Sequence, residues 1–326
     1  FPLIIPLFLP FHRKKNTSQT NNQLFNKENN VNCNCFIINQ LYPTQIIMST
    51  FMIHQISRYF ILAGLLIGLF SLDVHAQRTH VLSGGVGTVY YYGELTDVFA
   101  SSQMKPAGVI SYQKYFNQTT SYRFGLSAGE IGATDFYANS PGRKVRNLHF
   151  KSIILEASAT MVHEFFPDRN FGNEYLAKPH FSPYVFGGVA FFHFNPKARL
   201  GSQWYALQPL GTEGQNLPGG RGRYSRVQMA LPVGIGGSLR ISPNSGISIE
   251  LGYRLTLTDY LDDISTIYPD LDALMEVDPL AAEFSERSPE GVFESGDIRG
   301  NPGSNDGYFF ATFSLNYYLS RFLNRN

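Results

Sequence analysis

Cysteine is nearly missing from this 326-residue sequence: Cys33 and Cys35 are the only two. Both precede residue 77, where the folded portion is expected to begin. Disulfides, thiolate zinc sites and thiol catalysis are therefore excluded from that portion. Long hydrophobic runs are missing after residue 76, where no stretch of eighteen consecutive apolar residues offers a helical membrane span. A charge of one sign is missing too. The 26 Lys and Arg nearly balance 25 Asp and Glu, so no basic field points to nucleic acid. Tryptophan occurs once, at Trp204. Aromatic residues are otherwise plentiful, with 19 Tyr and 27 Phe, which favours strands and the aromatic girdles of membrane barrels.

The front of the chain reads as a separate region. It opens on Phe1, and residues 1–47 are rich in Asn and Gln around a short apolar opening. The expectation is an untranslated or disordered extension, with the initiator at Met48 or Met52. From there His54 and Arg58 precede the apolar run Tyr59–Phe70 and then SLDVHA. That order of basic, apolar and small residues predicts a signal peptide over 48–76, cleaved after Ala76. Residues 77–326 are left as one domain.

The stretch from Ser225 to Asp263 sets the fold class. Val227, Met229, Leu231, Val233 and Ile235 alternate with Arg226, Gln228, Ala230, Pro232 and Gly234. After the turn SPNSG, Ile247, Ile249, Leu251, Tyr253, Leu255 and Leu257 alternate with Ser248, Glu250, Gly252, Arg254, Thr256 and Thr258. About 9–11 tilted residues cross a bilayer as a strand, and barrels of this kind alternate apolar-out and polar-in. The pattern predicts a hairpin of a transmembrane barrel. Six further strands are expected at Val81–Tyr92, Ala107–Phe116, Tyr122–Ala133, Leu148–Phe165, Phe181–Phe194 and Tyr308–Leu319. The fifth of the eight is so apolar on both sides that its faces cannot be read.

The predicted class is all-β: an eight-stranded antiparallel transmembrane β-barrel with long extracellular loops. Short connections at 117–121 and 241–246 alternate with long ones, the longest at 195–224 and 259–306. Periplasmic turns are short in such barrels and external loops long. Both termini are then periplasmic and the protein resides in the bacterial outer membrane. The connection 166–180 is long for a turn in that scheme.

The segments GTVYYYGEL at 87–95, FNPKA at 194–198, LQPLGTEGQ at 207–215 and TDYLDDIST at 258–266 resemble the Bacteroidetes outer-membrane barrel family typified by PorG. PorG is a component of the type IX secretion system. The resemblance implies a barrel without enzymatic activity, associated with periplasmic secretion-ring proteins. Paralogues of unassigned role share the pattern.

Three groups of residues are candidates for chemistry. Glu156, Arg226, Gln228, Glu250 and Arg254 fall on polar strand faces and are expected to form a lumenal network, either a packed ionic core or a proton or ion path. Eight strands enclose a space that side chains just fill. Pairs of Arg226 with Glu250, or of Arg254 with Glu156 across the barrel, are expected. Asp259, Asp262 and Asp263 offer three carboxylates for a hard cation such as Ca²⁺, although the spacing is not that of an EF-hand. With Thr212, Glu213 and Gln215 they form a candidate docking or cation site on the loops. His149 and His193, near the rim, are the third group, and a rim His with a Ser is the arrangement an outer-membrane lipid hydrolase would need.

The reading that results is a non-enzymatic structural or anchoring barrel of the type IX protein secretion machinery. A small transport channel and a surface lipid-modifying enzyme are the alternatives. No cofactor and no small-molecule substrate are expected. The partners expected are outer-membrane lipid and secretion-ring proteins.

Overall fold

Each expected strand forms, with ends displaced by a residue or two. The computed structural model describes residues 80–96, 99–166, 179–289 and 291–319. The expected extension over 1–47 and the signal peptide over 48–76 lie outside the described residues. The strands are β1 (His80–Tyr92), β2 (Lys105–Tyr115), β3 (Thr120–Thr134), β4 (His149–Glu164), β5 (His180–His193), β8 (Val227–Arg240), β9 (Ser245–Thr256) and β10 (Gly307–Leu319). A small hairpin, β6 (Lys197–Leu200) with β7 (Gln203–Ala206), interrupts the series.

Each of the eight pairs antiparallel with the next, and β1 pairs with β10 from His80↔Leu319 to Tyr92↔Gly307. With β3–β4 also paired, the sheet is a closed eight-stranded barrel with no free edge in its wall. The connections 116–119 and 241–244, with the strand ends Glu164 and His180, share one end with His80 and Leu319. The other four, 93–104, 135–148, 194–226 and 257–306, share the other end. The turn at 116–119 is an Asx turn, in which Asn117 Oδ1 accepts from the backbone N–H of Thr119 at 2.9 Å and of Thr120 at 2.7 Å.

Side chains on the outside of the wall are apolar all the way round. Val86 is 69% exposed and Leu315 63%, and Ile110, Leu126, Leu155, Phe191, Ile235 and Leu251 are exposed on the other six strands. Several face one another across strands, as Val86 with Phe313 and Ile110 with Leu126. Soluble monomers do not present a continuous apolar belt of this extent to water. With the wall closed into a continuous ring of strand pairs, the belt is that of a transmembrane barrel. Among the described residues no helix is long and apolar enough to cross a membrane.

The interior departs from the expected wet lumen. It is layered. Towards the short-turn end lies a cavity of about 60 Å³ whose lining includes Ser83, Ser111, Ser127, Ser158, Ser248 and Ser314, room for a few waters. Towards the long-loop end the lumen is filled by buried apolar and aromatic side chains. Val89, Tyr91, Ile131, Phe150, Ile154, Phe192, Tyr308 and Phe310 form one cluster there with Leu261 and Ile264 of the last long loop. These inward positions alternate with outward apolar ones, so the upper strands are apolar on both faces. The fifth strand is the clearest case: Phe181, Val185, Val189 and Phe191 point out, and Tyr184, Phe186 and Phe192 point in.

The long loops are folded into a cap. In 257–306, Asp270 caps α1 (Leu271–Val277) by accepting from Ala273 N–H at 3.0 Å, and Asp278 caps α2 (Pro279–Ser285) by accepting from Leu280 N–H at 3.0 Å. Leu274, Ala281 and Ala282 of these helices pack on Leu210 and Leu217 of the 194–226 loop. Phe284 packs on Ala198 and Leu207.

Candidate functional site

Two arrangements of charge are built on this frame, one in the lumen and one beneath the cap. In the lumen, Arg254 of β9 reaches across to Glu156 of β4, with Nη2 at 3.0 Å from Oε1 and Nε at 3.1 Å from Oε2. The Tyr308 hydroxyl donates to Glu156 Oε2 at 2.9 Å, and the Phe310 ring lies 4.6 Å below the guanidinium. This is the cross-lumen pair that alternation suggests. Glu250 is held elsewhere. It takes Arg123 Nη1 at 2.5 Å and the Tyr184 hydroxyl at 3.1 Å.

The expected pair of Arg226 with Glu250 does not form. Arg226 lies before β8, exposed at the rim, well away from the lumen level of Glu250. Gln228 is also at the rim, where its Nε2 donates to the Ser225 carbonyl at 3.0 Å. Arg123 is the member that sequence reasoning passed over. Its place in Tyr122–Arg123–Phe124, between outward aromatics, was the available signal.

Beneath the cap, the residues expected as a docking surface are buried. Thr212 is fully buried, and its hydroxyl donates to Asp263 Oδ2 at 2.5 Å. Glu213 accepts from the backbone N–H of Ser265 at 2.8 Å and of Thr266 at 3.1 Å, and pairs with Arg299 at 2.9 Å. Gln215 Oε1 accepts from Glu213 N–H at 2.9 Å. The TEGQ segment thus staples one long loop to the other and presents no free face to a partner.

The three aspartates divide between two sites. Asp263, at φ 68°, turns towards Thr212 and towards the Tyr224 hydroxyl at 2.6 Å. Burial pushes its carboxyl up to about 6, with Arg299 opposing. Asp262 faces the other way. Its Oδ2 accepts from the Tyr91 hydroxyl at 2.7 Å and its Oδ1 from Ile264 N–H at 2.9 Å. The same Tyr91 hydroxyl stands 2.7 Å from Asp306 Oδ1, and Asp306 Oδ2 accepts from Leu261 N–H at 2.9 Å. Glu94 completes the group: oxygens of Glu94, Asp262 and Asp306 lie within 4.8 Å of one another, all three buried. Burial, then the charge of Glu94, pushes Asp262 well above the usual carboxylate range. Burial does the same to Asp306, seconded by Asp262. Asp259, pushed up to about 8 by burial and then by Glu94, stands beside them. Only Asp259 and Asp262 of the three expected carboxylates meet here. Glu94 and Asp306 come from opposite ends of the domain, and no sequence spacing joins them.

His149 and His193 are not brought together. His193 sits opposite Leu155, six residues along β4 from His149, about 20 Å at the usual strand rise. His149 Nε2 accepts from Arg199 N–H at 3.0 Å. A Gly-x-Ser-x-Gly pattern does occur, at 125–129, but within β3 rather than on a strand-to-helix turn, with Ser127 facing the lumen.

The fold therefore defines a closed transmembrane β-barrel with a filled lumen and a locked cap. The chain belongs to the family described as a domain of unknown function, DUF6089, whose model matches residues 58–277. No curated protein matches. Among solved structures, Ail of Yersinia pestis is 10% identical, with 75% of this chain and 100% of that chain covered and a TM-score of 0.37. OprG of Pseudomonas aeruginosa is 10% identical over 76% and 100%, with a TM-score of 0.36. Neisserial surface protein A is 10% identical over 73% and 96%, with a TM-score of 0.34. Nothing about the role of this chain follows from likenesses so distant.

Proposed function

We propose that this protein is a non-enzymatic barrel of the bacterial outer membrane that anchors or organises a protein-secretion assembly. The apolar belt supports the membrane reading, since only a lipid surround rewards that many outward aliphatic side chains. The observation that carries the structural role is the cap. Two long loops are pinned together by Glu213–Arg299, Thr212–Asp263 and Tyr224–Asp263, over a lumen already packed with aromatic side chains. Among the described residues such a packed body offers no aqueous path through its capped end, which suits a fixed anchor rather than a pore.

The type IX reading rests on the resemblance of the four segments at 87–95, 194–198, 207–215 and 258–266. All four sit at the capped end, in or beside the stapled loops. With both termini periplasmic, secretion-ring proteins would meet the opposite end, where the turns 116–119 and 241–244 lie. Outer-membrane lipid is the other partner.

Affinity purification of the tagged protein from detergent-solubilised outer membranes, read by mass spectrometry, tests location and partner together. Co-purifying periplasmic ring proteins, with lost secretion in a deletion strain, are the expected result. A deletion strain that secretes its cargo and assembles its ring normally overturns the secretion role.

A further inference from the structure

The carboxylates beneath the cap pose a charge problem that the described residues leave unsolved. One hydroxyl proton, that of Tyr91, faces both Asp262 and Asp306 at 2.7 Å, and it can be donated to only one of them at a time. Glu94 brings a third carboxylate within 4.8 Å. The guanidinium nearest in effect, Arg146, directs its N–H groups to Asp135, to the Arg299 carbonyl and to the Glu94 carbonyl. Several buried carboxylates sharing one site cannot all stay ionised without a cation or a shared proton.

A second observation points to the cation. Asp259 is only 8% exposed, and neither of its carboxylate oxygens accepts a hydrogen bond of good geometry, the Ser265 hydroxyl being the donor nearest in effect. Its carboxyl faces Glu94, whose own Oε2 is likewise without a donor. Buried polar atoms are almost always satisfied, so four orphaned or over-shared carboxylates at one point mark a missing partner.

We propose that Glu94, Asp262 and Asp306 hold one divalent cation of the calcium type beneath the cap, with Asp259 beside them as an outer carboxylate facing Glu94. The donors are all carboxylate oxygens, which select hard cations over zinc or copper. Two oxygens bound to one Ca²⁺ stand at most about 5 Å apart, twice the metal–oxygen distance, and the 4.8 Å spread meets that limit. Mg²⁺ keeps several waters and demands a near-ideal octahedron, which a set of crowded, water-excluded carboxylates does not offer. The ligands come from two connections: Glu94 follows β1, and Asp262 and Asp306 stand near the two ends of the loop between β9 and β10. A bound cation therefore ties the first and last strands to the longest loop. The proposal does not depend on the secretion role.

The test uses the purified full-length barrel in detergent, stripped with chelator and titrated with Tb³⁺, with tyrosine excitation and Ca²⁺ as competitor. Saturable Tb³⁺ luminescence that Ca²⁺ displaces, and a rise in unfolding temperature with added Ca²⁺, are expected. Glu94→Gln and Asp259→Asn should weaken binding at least as much as loss of an outer-shell partner does, about 10–100-fold. Asp272→Asn, on the exposed side of α1, should leave it unchanged. Heat-modifiability on a gel verifies that each variant is a folded barrel. The wild type alone already decides: no saturable signal and no Ca²⁺-dependent shift overturn the site and leave carboxyl groups sharing protons. Equal Ca²⁺ responses in wild type, Glu94→Gln and Asp259→Asn overturn the assignment of the ligands.

Discussion

Arg254 of β9 and Glu156 of β4 meet across the lumen through two contacts, at 3.0 and 3.1 Å, although two strands separate them in the wall. The pair sits where the serine-lined cavity gives way to the aromatic layer, with Glu156 only 3% exposed. Arg254→Met leaves a buried carboxylate with the Tyr308 hydroxyl alone, and should cost about 3–5 kcal/mol. The double variant with Glu156→Gln should recover part of that loss, because the orphaned charge is removed as well. Urea unfolding in detergent, followed by tryptophan emission from Trp204 or by gel mobility, measures both.

The outer face obeys the opposite rule. Leu251 lies mid-strand on β9 and is 51% exposed, pointing away from its neighbour Glu250. Leu251→Arg should cost about 2–4 kcal/mol by placing a charge in the hydrocarbon. A variant as heat-resistant as wild type on a cold-versus-boiled gel would mean that the belt does not face lipid.

Glycine sets the space inside the β5–β8–β9 wall. Gly234 faces Phe186 on one side and Gly252 on the other. A methyl at residue 234 would stand 2.3 Å from the Leu251 carbonyl oxygen and 2.4 Å from Phe186 Cζ, and one at residue 252 would stand 2.4 Å from Arg254 Nη1 and 2.8 Å from Phe186 Cζ. Gly234→Ala should cost about 1–3 kcal/mol through overpacking. Adding Phe186→Leu should make the two changes less than additive, since the smaller side chain relieves the part of the clash made with Phe186 while the Leu251 carbonyl contact stays. A double-mutant cycle on unfolding free energies gives the coupling directly.

The filled lumen predicts silence in electrophysiology. Wild-type protein in planar bilayers should show no unitary current steps at any voltage the bilayer tolerates. Steps of reproducible size would restore the transport reading.

Sidedness is equally open to measurement. The stretch 218–223, in the longest connection but one, is exposed and carries Gly219 and Gly222 in left-handed backbone, where an insertion meets little resistance. An epitope placed between Gly219 and Gly220 should be labelled on intact cells, and one in the 241–244 turn only after the outer membrane is opened. The reverse pattern would invert the topology.

The wall of the barrel was legible because lipid demands a period of two. Ile249, Leu251 and Leu255 on β9 alternate with Glu250 and Arg254, and the connections, apart from 165–179, sort by length without reference to tertiary contacts. The upper interior was not legible. Phe150, Ile154, Phe192 and Phe310 face inward next to outward apolar neighbours, so alternation vanishes where the cap supplies apolar cover from above. Arg226 misled for a related reason: its parity was correct, but it lies before the strand begins. The cap helices left signals that strand counting passed over, in Asp270 and in the Asp278–Pro279 pair. The acid cluster left none, because Glu94 and Asp306 are separated by nearly the whole domain and only closure of the barrel makes them neighbours.

That closure has a consequence for biogenesis. β1 and β10 form the seam at which the sheet is zipped shut, and Tyr91 on one side of it donates to Asp306 just ahead of the other. The lid's inner layer has its full set of anchors only once the final strand has arrived. An incompletely inserted chain would stay unlatched at its mouth, and a protease acting on the cell surface would distinguish it from the finished product.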